Sequence, residues 1–289
     1  MDATSFFVLR PTDDERTWIL PVERRLCSGL GALWGGVALG AAIEVANKVT
    51  GRPLAWATSQ FLSFVSPGED AKVELVAENH GRTVSQFRVM VSAGDREIAL
   101  IAGAVGQRFV PDDLSWEQRP DVAHWSECVQ RPPLPHHRGT ISDHIQIRLA
   151  KARTMEELPG EIGDGSSSLW VRMDDLDHSS VSLAVLGDYV PFGIGQAMGQ
   201  FVGGPSLDNT VRIRKVVPTE WVLVDVRIHG VANGFGHGLA HLWAENGTLM
   251  ATASQTTALR KYDPFSEIEA ERLRTSGAYR GPSSKGRKD

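Results

Sequence analysis

Two stretches of this chain are apolar on nearly every side, and each is followed by a run of alternating segments. Val37 to Val49 is small and apolar for most of its length, which predicts a buried helix. It is entered through Gly29-Leu30-Gly31-Ala32-Leu33-Trp34-Gly35-Gly36 and stopped at Thr50-Gly51-Arg52-Pro53. Val181 to Leu186, behind the cap residues Ser179 and Ser180, predicts a second helix of the same kind. Strand patterns follow the first at Leu54 to Val65, Val73 to Glu78, Thr83 to Ser92 and Glu97 to Phe109, with turn-forming residues between them. They follow the second at Ser206 to Lys215, Trp221 to Val231, Gly238 to Glu245 and Leu249 to Lys261. Trp18 to Val22 precedes the first helix, and Ile145 to Leu149 and Leu169 to Met173 precede the second. A sheet wrapped around one helix satisfies the burial needs of both, and the chain contains that pattern twice.

The repetition has landmarks. Pro67 and Glu69 match Pro218 and Glu220 at an offset of 151 (218 minus 67), and Gly94 matches Gly247 at 153 (247 minus 94). On these offsets Ser206 corresponds to Ala55 and Gln255 to Ala102, so the polar groups fall only in the second copy. Either one copy carries chemistry while the other supplies walls, or exposed strands have drifted to alanine. Residues 110 to 140 hold Pro111, Pro120, Pro132, Pro133 and Pro135 with little periodicity, the pattern of a surface linker. The expected organisation is a first domain over 1–112, a linker over 113–138, a second domain over 139–265 carrying the site, and a mobile tail over 266–289.

Composition narrows the function. With 289 residues, 42% of them hydrophobic, the chain suits two modest globular domains. A net charge of -5 argues against a nucleic-acid binder, which needs a basic footprint; any anionic ligand has to be met locally. The N-terminus lacks a basic region leading into an apolar stretch, so a cytoplasmic protein is expected. Leu30 to Ala46 is short for a membrane span and contains Glu44, so no membrane is expected as a partner. Cys27 and Cys128 lack metal-type spacing and read as reduced, buried thiols. His136, His137 and His144 lack a ligand pattern, and Asn233 to Gly238 lacks the GxGxxG spacing, so neither metal nor cofactor is expected.

The candidate chemistry centres on Asp188, an acid following an apolar helix, where it needs a partner or a task. Alternation from Ser206 puts Ser206, Asp208, Thr210, Arg212 and Arg214 on one strand face that can look back at Asp188. Asp208 reads as structural, paired with Arg212 two places along the same strand face.

Taken in order, Trp34-Gly35-Gly36, Phe61 to Gly68, Ser206-Leu207-Asp208-Asn209, Glu220 to Leu223 and Gly247 to Gln255 resemble the type II, TesB-like acyl-CoA thioesterases over nearly the whole chain. The resemblance implies an α+β tandem (double) hotdog, two antiparallel sheets each wrapped around a long central helix, and a homo-oligomer formed through the sheets. It implies hydrolysis of acyl-CoA to free fatty acid and CoA, in fatty acid and acyl-CoA metabolism. In that family an Asp, a Thr and a Gln position and activate water; by motif these match Asp188, Ser206, where serine replaces the threonine, and Gln255. The family often has His where this chain has Asn209. Backbone amides at the first helix start, Gly36 and Val37, are the expected oxyanion donors. Arg212, Arg214 and Lys215 are either a charged strand face or contacts for CoA phosphates. Two alternatives stand on the same scaffold: a non-catalytic acyl-binding protein, and an enoyl-CoA hydratase.

Overall fold

The computed structural model describes residues 1–110, 112–134 and 137–263; the tail expected over 266–289 lies outside them. In the first half, α1 (Ala3–Phe7), β1 (Arg10–Pro11) and β2 (Thr17–Pro21) lead to α2 (Gly35–Thr50). The strands β3 (Leu54–Phe61), β4 (Asp70–His80), β5 (Val84–Ala93) and β6 (Arg96–Gly106) follow. After β7 (Val129–Gln130), the second half runs β8 (Ile145–Lys151), β9 (Ser166–Met173), α3 (Ser180–Leu186), α4 (Val190–Met198) and β10 (Val202–Gly203). It ends with β11 (Ser206–Ile213), β12 (Val222–Ala232), β13 (Phe235–Ala244), β14 (Leu249–Ala258) and β15 (Arg260–Lys261). Both expected helix sites and every expected strand are present, with ends shifted by a few residues.

Two features correct the expected picture. The two sheets are one: thirteen strands run in the order β1-β2-β4-β5-β6-β3-β11-β14-β13-β12-β9-β8-β7. At the inner end of each half stands a strand with an unpaired edge, β3 and β11, and these pair antiparallel with each other, which satisfies both rows of backbone groups. Thr58 lies opposite Thr210 at the centre of that seam, their hydroxyls 2.7 Å apart. The second central helix is also not one long rod. It breaks at Gly187-Asp188-Tyr189 into α3 and α4, where Pro191 in the first turn of α4 has no N–H to carry the helix through.

The seam sets the true register of the duplication. Thr58 is opposite Ala102 in the first half as Thr210 is opposite Ser254 in the second, so equivalent positions differ by 152 in both strands (210 minus 58; 254 minus 102). Ser206 therefore corresponds to Leu54 and Gln255 to Gly103, not to Ala55 and Ala102; a one-residue slip would put them on the wrong face. Gly103 has no room for a side chain, since a Cβ there would lie 2.6 Å from the Phe87 ring. The first half is thus closed at the position where the second holds its glutamine.

Helix α2 is buried over Gly36–Ile43 and again at Val45 and Ala46, with β4, β5 and β6 on one side and α3 on another. Glycine makes the helix contact close. A Cβ on Gly36 would stand 3.0 Å from the Val185 Cα and 3.1 Å from the Ala184 carbonyl, and one on Gly40 3.2 Å from Val181. The expected linker is more than a surface crossing. Trp125 stacks on Trp221 at 5.2 Å, and Cys128 joins Trp170, Trp221, Leu223, Trp243 and Leu249 in a satellite core on the outer face of the second half. Both cysteines are free and buried, as expected, and burial pushes the Cys27 thiol up to about 12. Among the described residues no helix is long and apolar enough to cross a membrane. Gly36→Ala should force α2 from α3, lowering stability by about 1–3 kcal/mol in urea unfolding, whereas an alanine at solvent-facing Gly51 should act only through its positive φ.

Candidate active site

Asp188 sits in the helix break, at the floor of a cavity of about 290 Å³. Its carboxylate is the meeting point of both halves. Oδ2 accepts the Gly36 N–H at 2.7 Å, from the first turn of α2, and Oδ1 accepts an N–H of Gln255 Nε2, from β14. Gly36 and Asp188 are 152 residues apart, the same offset as the paired strands, and through them the start of α2 meets the break between α3 and α4.

Gln255 is almost fully buried and its amide has one permitted orientation. Its Oε1 accepts the Val190 N–H at 3.2 Å, an open N–H in the first turn of α4. That leaves both Nε2 hydrogens for Asp188 and for Ser206 Oγ, the latter at 3.2 Å. Three side chains distant in sequence are thereby joined into one hydrogen-bonded set, and Asp188 and Ser206 open onto the cavity.

Ser206 reaches this set by a route the alternation does not contain. It is opposite Thr257, while Asp208 is opposite Thr256, so Leu207 is an extra residue in β11. This bulge turns Ser206 to the inner face with Thr257, Gln255 and Asn209, and leaves Asp208, Thr210 and Arg212 on the outer one. Asp208 is structural, but its partner is not Arg212: it accepts the Thr256 N–H at 2.8 Å and so pins the bulge.

The expected oxyanion donors are not open. Gly36 N–H is taken by Asp188, and Val37 N–H donates to the Trp34 carbonyl at 3.0 Å, closing the first turn of α2. What remains free beside the acid was not singled out from sequence. Gly35 N–H has no acceptor among the described residues, and the buried Trp34 indole N–H stands near the Asp188 carboxylate without a hydrogen bond to it. Asn209 is also buried, directly opposite Gln255, with neither amide atom bonded. Arg214 and Lys215 both pair with Asp113, away from the cavity, which favours the structural reading of that face. Among the described residues no cluster of three His, Cys, Asp or Glu side chains is gathered for a metal.

Burial raises the Asp188 carboxyl above its ordinary value, and the hydrogen bonds from Gln255 and Gly36, with the nearby Trp34 indole, counter that rise only in part. Surface area leaves Asp188 half-buried, because the carboxylate meets protein on every side except the cavity. Burial also pushes the neighbouring Tyr189 phenol well above its usual range, so that side chain stays neutral.

A family model for the acyl-CoA thioesterase C-terminal domain matches residues 111–259, just over half of the chain. The chain belongs to that acyl-CoA thioesterase family. It is an enzyme that hydrolyses thioesters, with acyl-CoA as its substrate class. A thioesterase structure from Novosphingobium aromaticivorans, titled putative, is similar at 28% identity, with a TM-score of 0.77 over 87% of this chain and 98% of that one. A hot dog fold protein from Alicyclobacillus acidocaldarius shares 18% identity and a TM-score of 0.77 over 90% of this chain and 98% of its own. The tesB protein of Mycobacterium avium subs paratuberculosis shares 15% and 0.71 over 90% and 98%. The last two show a common hotdog fold. No match is found among curated proteins.

The raised pKa has a sign. A carboxyl that is protonated more readily in the native thioesterase than in the unfolded chain contributes stability fully below its unfolded value, and loses it as pH rises through its native one. The Asp188→Asn variant carries a constant penalty, because its amide opposes one of the two donors, but it lacks this loss. Urea midpoints measured from about pH 4 upward should therefore show the variant gaining on the wild type as pH increases.

Proposed function

We propose that this thioesterase releases free fatty acid and CoA through a water held between Asp188 and Ser206, with Gln255 aligning both. The observation that carries the proposal is the bridging amide: Gln255 Nε2 donates to the acid and to the hydroxyl, while the Val190 N–H prevents it from turning over. Both of its hydrogens are engaged, so Gln255 acts on the water through its partners. Ser206 Oγ accepts from Gln255 and keeps its own proton for a group in the cavity. Asp188 takes the proton of the attacking water, and its raised pKa brings it nearer to the operating range of a general base. Serine serves where the family uses threonine because the Gln255 amide orients the hydroxyl that a methyl would otherwise restrict.

As water adds, the thioester carbonyl becomes an oxyanion that needs donors not already engaged. We assign these to the Gly35 N–H and the Trp34 indole N–H, in place of Gly36 and Val37. The positive end of α2 adds to their effect. The fold in this reading is a double hotdog, two units joined edge to edge at β3 and β11, the first supplying an amide and a wall and the second the polar set.

Two measurements test the assignment. Asp188→Asn should lower kcat for acyl-CoA hydrolysis by about a hundredfold or more with KM changed little, read by thiol release; undiminished turnover would exclude Asp188 as the base. Trp34→Phe keeps the ring but removes the donor, and should reduce kcat by on the order of tenfold to a hundredfold without a matching change in KM. Tight binding of acyl-CoA with no thiol released by the wild type would instead favour a binding protein.

A further inference from the structure

The cavity is charged in a way that hydrolysis alone does not require. Among the described residues that line it are two arginines, Arg131 and Arg153, and a single carboxylate, Asp188. Several arginines elsewhere close on carboxylates, as with Arg96 on Glu69, Arg172 on Asp174 and Arg214 on Asp113. The cavity pair does not follow that pattern among the described residues. Arg131 lies over the Phe192 ring, 5.0 Å from its centroid, and Arg153 donates only to the Glu161 carbonyl, at 2.5 Å.

Both are held on the same side of α4. Arg131 rests on Phe192, and the backbone of Arg153 is gripped by Gln196, whose Oε1 accepts its N–H at 2.6 Å and whose Nε2 faces its carbonyl at 3.4 Å. Phe192 and Gln196 are one helical turn apart and share a face. Asp188, Arg131 and Arg153 line one cavity of about 290 Å³, so the two arginines stand within a short span of the acid.

A half-buried guanidinium without a counter-ion is costly, and its planar fork fits a carboxylate with two parallel hydrogen bonds. The position decides which anion. CoA's phosphates are at the far end of the pantetheine arm, beyond this span, whereas the far end of a medium-length acyl chain falls within it. We propose that Arg131 and Arg153 form an anion-binding wall for the acyl group, so that the preferred substrates are acyl-CoAs whose acyl chain ends in a carboxylate.

The inference rests on the thioesterase reading and is tested apart from it. Three acyl-CoAs of equal chain length are compared by thiol release: one ending in a carboxylate, its methyl ester, and the plain alkanoyl form. The wild type should favour the carboxylate over both others by about tenfold to a hundredfold in kcat/KM. In Arg131→Gln that ratio should fall toward one, and Arg131→Lys should restore part of it. Equal rates on all three substrates would overturn the proposal. So would an Arg131→Gln loss shared equally by all three, which would assign the guanidiniums to CoA. If no substrate is turned over, the hydrolytic reading fails, and calorimetry on Asp188→Asn decides the wall separately: binding without preference for the carboxylate form overturns it.

Discussion

One hydrogen bond joins the two halves of this protein at the place where its chemistry is assigned: the Gly36 N–H to the Asp188 carboxylate, at 2.7 Å. It exists because α2 and α3 approach without side chains between them, which glycine at 36 permits. The first turn of α2 supplies an N–H that no residue of its own helix can use. The break between α3 and α4 supplies the acid that takes it. Each half meets a need of the other that its own helix leaves open.

The same economy runs through the second half. Val190 offers an open N–H at the start of α4, Gln255 accepts it, and the amide so fixed presents both hydrogens to Asp188 and Ser206. A raised carboxyl pKa follows from placing this set under a sheet and two helices, with the acid opening onto the cavity. The first half has the same strand order but no equivalent set, since Gly36, Leu54 and Gly103 stand at the matching positions. Phe87 occupies the space that a side chain at 103 would need.

The cavity draws on more of the chain than the duplicated units. Phe61 and Val65 come from the end of β3 and the loop after it, Arg131 and Leu134 from the segment between the halves, and Arg153 and Leu158 from the loop between β8 and β9. That loop is tied to the end of α4 by Gly160 N–H to the Gly199 carbonyl and Gly163 N–H to the Ala197 carbonyl, at 2.8 and 2.7 Å. Substrate preference in such a site can change through the connecting segments while the polar set remains in place.

The sequence by itself determined the elements and their repetition. Burial on a helix or strand imposes a local period, and Val37 to Val49 or Thr83 to Ser92 carry that period in neighbouring residues. It also named Asp188, Ser206 and Gln255, through motifs that resemble a family and not through spacing. Tertiary structure decided what depends on residues far apart. The pairing of β3 with β11 made one sheet of two, and the bulge at Leu207 turned Ser206 inward against the alternation. The Gly36 and Val37 amides looked open at a helix start, but Asp188 and Trp34 take them, while Arg131 came to the cavity from a segment that reads as linker. A local pattern records which face of an element is buried; it holds no record of which distant group arrives to bury it.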